Sequence, residues 1–247
     1  MKNYIAAGIL FMSIITNATA QPVDEIINSH IAAIGGAAKI QELKTLYLEG
    51  VTVLPDGNEV TSKLYKVNGQ LFRREVFFGT GSSTMILNSK QGWFTNPRSD
   101  NAFQKMPDDM YQSQLGELDI AGPLFNYSMK GHAVSLVGKD SIQGKPVYKL
   151  ELTLKSGRLV NYYIDAENYY LVRQSFIPGV EGMEGIRPRH GADPNAEIVI
   201  DYSDFRKTPE GYVFPYTISS VSMGGSIIYE KIEANKKIDA EVLGQPK

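Results

Sequence analysis

The sequence predicts a mainly β fold of the α+β class. One wide antiparallel sheet of ten or eleven strands dominates, with helices only at the start and in one mid-chain insertion. Three observations predict it. Between Lys145 and Ile177, Tyr148, Leu150, Leu152 and Leu154 alternate with Lys149, Glu151, Thr153 and Lys155, the period of a strand with one buried face. Ser156-Gly157 then supplies a tight turn, and LVNYYIDA and YYLVRQSFI follow, rich in the β-branched and aromatic residues that suit a pleated surface. Neighbours this close pair antiparallel, because a parallel return needs about a dozen crossover residues or more. Finally, the same style recurs on both sides of this stretch, and twist accumulating over so many strands makes the sheet curl or close.

The beginning of the chain reads differently. Lys2 is the only charge among the first twenty residues, Tyr4 to Ile15 is an apolar run, and Ala18-Thr19-Ala20 closes it. This is the pattern of a secretory signal peptide, residues 1–20, with an A-x-A cleavage site. The run is short for a membrane span, which needs about 20 residues. Residues 21–247 are expected to form one domain. Of the 247 residues 43% are hydrophobic and 21% charged, an ordinary globular composition. There is no cysteine, hence no disulfide and no lipid-modified N-terminal cysteine. The expected address is the periplasm, and the expected state is a soluble, unlipidated monomer. A net charge of −2 excludes the basic footprint of a nucleic-acid binder.

The elements follow in order. Val23, Ile26, Ile27, Ile31 and Ile34 recur at helical spacing, with Asp24 and Glu25 in the first turn and Gly35-Gly36 at the end. AAKIQELK continues as a short second helix. TLYLEGVTVL, EVTSKLYKV, QLFRREVFF, SSTMILN and GWFTNP form a meander of about five strands, punctuated by Pro55-Asp56-Gly57-Asn58, by the hairpin signal Asn68-Gly69 and by Gly79-Thr80-Gly81. Pro107-Asp108-Asp109 opens a helix that Ala121-Gly122-Pro123 ends. HAVSLVG resumes the meander ahead of the three strands already described. The stretch 178–195 is a long loop with four glycines and three prolines, of the kind that is functional or mobile. AEIVIDYSDF, YVFPYTISSVSM and SIIYEKIEANKKI complete the sheet, and the tail from Asp239 reads as loose.

Several strands carry apolar residues on both faces. Leu46 and Leu48 oppose Tyr47, Val51 and Val53; Phe72, Val76 and Phe78 oppose Leu71 and Phe77. Two readings stay open here: helices packed on the sheet as ordinary core, or an apolar inner surface that the helices only partly cover. The 14 tyrosines, 10 phenylalanines and the single tryptophan, Trp93, fit either, since a hollow lined by aromatics suits an apolar ligand.

Catalytic patterns are missing. There is no GxxxxGK[ST], HExxH or GxSxG; Ser220-Val221-Ser222-Met223-Gly224 lacks the leading glycine and the strand-to-helix context of a nucleophile elbow. His30 reads as a packing residue, His132 begins a strand, and His190 lies in the long loop with Arg187, Arg189 and Asp193. No convergent ligand spacing for a metal is present. Asp108-Asp109 suits a helix start, and Asp201/Asp204 a strand running into a turn. The sequence therefore predicts no enzyme, no metal site and no cofactor.

Leu71-Phe72 within a strand, followed about twenty residues on by Trp93-Phe94 with Asn96-Pro97, resembles the LolA family of periplasmic lipoprotein carriers and its LolA-like relatives. The opening VDEIINSHIAAIGG, HAVSLVGKDSIQGKPVYKLELTLKSGR and YYIDAENYYLVR are similar to a branch described as outer-membrane lipoprotein-sorting proteins. The resemblance implies an incomplete β-barrel of about eleven strands with a helical lid, holding acyl chains of a lipoprotein or other lipid in its hollow. Phe72 matches a phenylalanine near the mouth, and Trp93 and Phe94 an aromatic pair on a neighbouring strand. The expected lining is Leu46, Leu48, Phe72, Val76, Phe78, Met85, Leu87, Trp93 and Phe94. Implied partners are an inner-membrane transporter and an outer-membrane acceptor, with transfer toward the outer membrane. The alternative is a lipid or lipoprotein sensor on the same scaffold. One departure stands out: where the family has an arginine that latches its lid, this chain has Asn68 in a plain Asn-Gly turn, with Lys66, Arg73 and Arg74 nearby.

Overall fold

Alternation in the sequence becomes one 13-stranded antiparallel sheet, in the order β6-β5-β4-β3-β2-β1-β13-β12-β11-β10-β9-β8-β7. The computed structural model describes residues 22–54, 57–96, 102–177, 196–220, 225–239, 241–242 and 244. The strands are β1 (Thr45–Val53), β2 (Glu59–Val67), β3 (Leu71–Phe78), β4 (Gly81–Asn88), β5 (Gly92–Thr95), β6 (Phe103–Lys105), β7 (Ala133–Ile142), β8 (Lys145–Thr153), β9 (Leu159–Asp165), β10 (Leu171–Phe176), β11 (Ile198–Lys207), β12 (Val213–Ser220) and β13 (Gly225–Ala234). The expected fold of about eleven strands is observed, with thirteen strands in the sheet. The three-residue β6 is too short to show a period in the sequence. The proposed signal peptide, the 178–195 loop and His190 lie outside the described residues.

The order contains two meanders, one running outward from β1 to β6 and one running back from β7 to β13. They join where β1 pairs with β13. β6 and β7 are therefore the two free edges, and the connection between them has to cross from one side of the sheet to the other. It carries α3 (Asp108–Gln114) and a 3-10 helix (Leu115–Leu118). It crosses on the concave side. Met106, Met110 and Leu118 pack on Phe72 and Leu87 of one wing, while Leu124 and Phe125 join Leu150 and Leu152 of the other.

The same face receives the opening helices. In α1 (Val23–Ala33), Ile26, Ile27 and Ile31 are buried against Leu46, Leu48, Tyr148 and Ile164. Contact between one short helix and strands from both meanders requires the sheet to curl around it. The helix ends because Gly35 and Gly36 take φ +136° and +90°, and the Gly36 N–H closes onto the Ile31 carbonyl at 2.8 Å. α2 (Ala37–Gln41) follows and buries Ile40.

Register assigns the faces. Opposed residues share a side, so Leu48, Leu64, Arg74, Met85 and Phe94 form one inward row across β1 to β5, and Leu46, Lys66, Phe72, Leu87 and Gly92 form the next. Several charges pair with one another on the convex face. Glu49 takes the Tyr47 hydroxyl at 2.7 Å and lies 3.4 Å from Lys63; Arg73 pairs with Glu75 at 2.6 Å and Lys231 with Glu233 at 3.0 Å. A bulge at Glu49/Gly50 bends β1 against β13, and there a side chain has no room. A Cβ on Gly50 would stand 2.6 Å from the Ile228 carbonyl oxygen.

Candidate functional site

Helices cover only part of the concave face. At one end of the strands, α1 closes the space: the His30 Nδ1–H donates to the Tyr169 carbonyl at 2.8 Å, and the Val213 N–H donates to the Ile34 carbonyl at 3.1 Å. Burial holds the His30 imidazole below the usual histidine value despite that hydrogen bond, so the ring is a neutral packing group. At the opposite end lie the β3–β4 and β8–β9 turns, the last residues of β1, β10 and β12 and the first residues of β2, β11 and β13. There the inward row Tyr202, Ile218, Ile227, Thr52, Val60 and Phe78 runs across six strands. Its apolar members point inward, yet Phe78 keeps 37% of its surface exposed, and Ile218 and Ile227 are half-buried. Inward-facing apolar side chains left partly exposed fit a hollow.

The expected lining residues divide. Leu46 and Leu48 are covered by α1, and Phe72 and Leu87 by Met106, Met110 and Leu118. Met85 and Phe94 lie partly buried beside that second cluster. Val76 and Phe78 face the uncovered stretch, where Val76 has only Ser62 and Ser83 beside it in its row. These eight residues share the inner face. Trp93 does not: it opposes Ile86 and Lys105 in the outward row. Alternation within GWFT places Trp93 and Phe94 on opposite faces, although a matched pair suggested a common role.

Sequence reasoning missed the second wing. Phe176, Ile200, Tyr202, Ile218 and Ile227 face the same space from β10 to β13, and the alternation in IVIDY already contained the signal for two of them. It also missed the polar groups. Lys66 and Arg74 lie in inward rows. Glu117 of the 3-10 helix reaches the Lys66 ammonium at 2.8 Å. The Glu117 side chain keeps 45% of its surface uncovered. Burial acts to raise its carboxyl, but Lys66, Arg74 and Arg158 outweigh it and hold the group below the ordinary glutamate value. The hydroxyls of Tyr162 and Tyr202 are pushed well above the usual tyrosine range, by burial first; Glu117 adds to this.

The β2–β3 turn is one of the points that hold the crossing segment. The Gly69 N–H donates to the Leu118 carbonyl at 2.8 Å, and the Asn68 Oδ1 accepts from the Ile120 N–H at 3.2 Å. At the position where the resemblance pointed to a missing arginine, the Asn-Gly turn itself holds the segment. Elsewhere, His132 Nδ1 accepts from the Lys155 N–H at 3.0 Å. Among the described residues no group of His, Asp or Glu converges to hold a metal, and no helix is long and apolar enough to cross a membrane.

The sequence matches no family model and no curated protein. Solved structures do match. A LolA superfamily protein from Nitrosomonas europaea superposes with a TM-score of 0.53 at 14% identity, covering 90% of this chain and 97% of that one. A DUF1329 family protein from Desulfovibrio piger gives 0.55 at 10% identity, covering 91% and 98%. A proposed outer membrane lipoprotein-sorting protein domain from Vibrio parahaemolyticus gives 0.50 at 10% identity, covering 89% and 94%. Together with the unclosed, curled sheet and its crossing helices, these matches show that the chain has the LolA-like fold.

Proposed function

We propose that this protein is a periplasmic carrier that holds the acyl chains of a lipoprotein or another lipid in the half-barrel hollow and transfers them toward the outer membrane. The single observation that carries the reading is the uncovered inward row at the mouth, with Phe78, Ile218 and Ile227 facing a space that the helices leave open. Its lining is apolar, so the driving force is transfer free energy, about 0.8 kcal/mol for each methylene buried. About ten methylenes supply roughly 8 kcal/mol, which offsets an association cost of several kcal/mol. The fold supports the reading, since it matches structures described as LolA-like and lipoprotein-sorting. Partners at the inner and outer membranes follow from the transfer role and are part of the proposal. So is the assignment of binding rather than chemistry to the hollow.

Native mass spectrometry of protein isolated from the periplasm tests it. The expected spectrum contains a lipid adduct, and delipidated protein melts higher once lipid is restored, by the linkage of binding to stability. Protein that carries no adduct, and whose melting no lipoprotein or phospholipid shifts, would remove the carrier.

A further inference from the structure

We infer that the lip of the hollow docks on a phospholipid bilayer, with apolar side chains at the strand ends entering the interface. The inference goes beyond the carrier reading: it concerns the rim and outside of the sheet and requires no ligand within. It starts from where the exposed apolar side chains lie. Among the described residues nine large hydrophobic side chains are exposed, and six of them stand at the mouth end: Val53, Phe77, Phe78, Leu159, Ile177 and Ile228. Val53 ends β1, Phe77 and Phe78 end β3, Leu159 opens β9, Ile177 follows the end of β10, and Ile228 is the fourth residue of β13. Val53, Leu159, Ile177 and Ile228 each keep at least 50% of their surface exposed. None of the nine lies in the closed-end turns Asn68-Gly69-Gln70, Ser89-Lys90-Gln91, Gln143-Gly144 and Pro209-Glu210-Gly211. Single exposed apolar residues are ordinary on any surface, but a collection of them at one end marks a contact.

The convex face changes at the same level. Its row Lys231, Glu49, Lys63 and Glu75 is charged. One step nearer the mouth the row reads Thr217, Ile228, Val51, Thr61, Phe77 and Ser82, with no charge. Phe78, Ile218 and Ile227 face the hollow, so this part of the lip is apolar on both faces. The six exposed residues are spread from β3 to β9, over eight neighbouring strands of the curled sheet. An apolar helix or peptide needs a groove, whereas an arc around an opening meets a plane, which is the form of a bilayer interface. Charge fits the same occupant. Lys155 and Arg158 are exposed beside Leu159 at the β8–β9 turn, and the Lys63 ammonium stands 6.0 Å from the Phe77 ring centre. On both wings a long cation thus stands behind an apolar tip, placed for lipid phosphates while the tip enters. Glu59 and Glu197 are exposed at the same end, so apolar insertion rather than net charge drives the contact.

The test mixes mature protein with protein-free vesicles of phosphatidylethanolamine and phosphatidylglycerol and measures co-sedimentation. The chain has no cysteine, so single introduced cysteines carry an environment-sensitive dye at chosen places. The protein is expected to sediment with the vesicles. Dyes on Val53→Cys and Ile177→Cys are expected to shift to the blue, while a dye on Lys90→Cys at the closed end does not. The triple variant Val53→Ser, Leu159→Ser, Ile177→Ser is expected to lose at least tenfold in vesicle partitioning. The apolar set Val53→Leu, Leu159→Met, Ile177→Leu is expected to keep it, which separates insertion from lost folding. No co-sedimentation, partitioning that survives the triple serine variant, or equal dye shifts at both ends overturns the inference. Each of these leaves the carrier standing, since the three side chains are not among those lining the hollow. Binding to native membranes that disappears with vesicles of their extracted lipids makes the lip a protein-docking surface and also overturns the inference.

Discussion

Replacing Val76 by tryptophan separates an open hollow from a filled core. Val76 faces inward between Ser62 and Ser83, two of the smallest side chains in the inner rows. In a packed interior the larger ring would force displacement costing about 1–3 kcal/mol. For a chain of this size each kcal/mol lowers the melting temperature by roughly 2–4 °C, so the fall would be about 2–12 °C. In an open hollow the ring enters free space, and the melting temperature stays within about 2 °C of the parent. Ligand then loses what the ring occupies. Displacing about four methylenes forfeits roughly 3 kcal/mol, a weakening on the order of 10²-fold. Thermal melts by circular dichroism and calorimetric titration with dodecanoate read the two quantities on the same samples. The reasoning is refuted if Val76→Trp melts more than about 5 °C lower, beyond what an open space allows, or if it binds dodecanoate as well as the parent.

Further outcomes follow from single contacts. Gly50→Ala is expected to destabilise by about 1–3 kcal/mol, because its Cβ would meet the Ile228 carbonyl oxygen at 2.6 Å, and urea melts alongside Gly116→Ala, where nothing lies within 4 Å, check it. Asn68→Ala removes the acceptor for the Ile120 N–H, worth about 1 kcal/mol, and should raise hydrogen exchange across 115–121 roughly fivefold with little change in global melting. His30 is held below its ordinary value of 6.5 in the folded protein, so the unfolded chain binds the extra proton first. Stability is therefore complete above pH 6.5 and declines as pH falls below it; His30→Gln should flatten that slope in urea midpoints taken from pH 7.5 to 5.

The sheet was legible because its signal is local and repeated. Each strand states its own period, and Asn68-Gly69 and Ser156-Gly157 state the turns between them. Where the signal is too short the reading fails, as at β6 with its three residues. The crossing segment follows less directly. Its helix start at Pro107-Asp108 is visible in the sequence, but that it spans the concave face depends on β6 and β7 being the two edges, which is a property of strand order.

The site was legible only as far as alternation reaches. Period two says that Arg73 and Arg74 point to opposite faces, but it is silent on which face is concave. The answer comes from β1, where Leu46 and Leu48 lie under α1 while Tyr47 and Glu49 face outward, and from the register that carries that assignment across β2 to β3. Arg73 thereby joins Glu75 outside, and Arg74 turns inward beside Leu64 and Met85. A one-residue slip of β3 against β2 would exchange the two arginines and turn Leu71, Glu75 and Phe77 inward in place of Phe72, Val76 and Phe78. The apolar lining of the hollow and the β2–β3 register are thus one claim. Insertion of a single residue in the Asn68-Gly69 turn should lose acyl-chain binding and much of the stability together, whereas Val76→Trp loses binding alone.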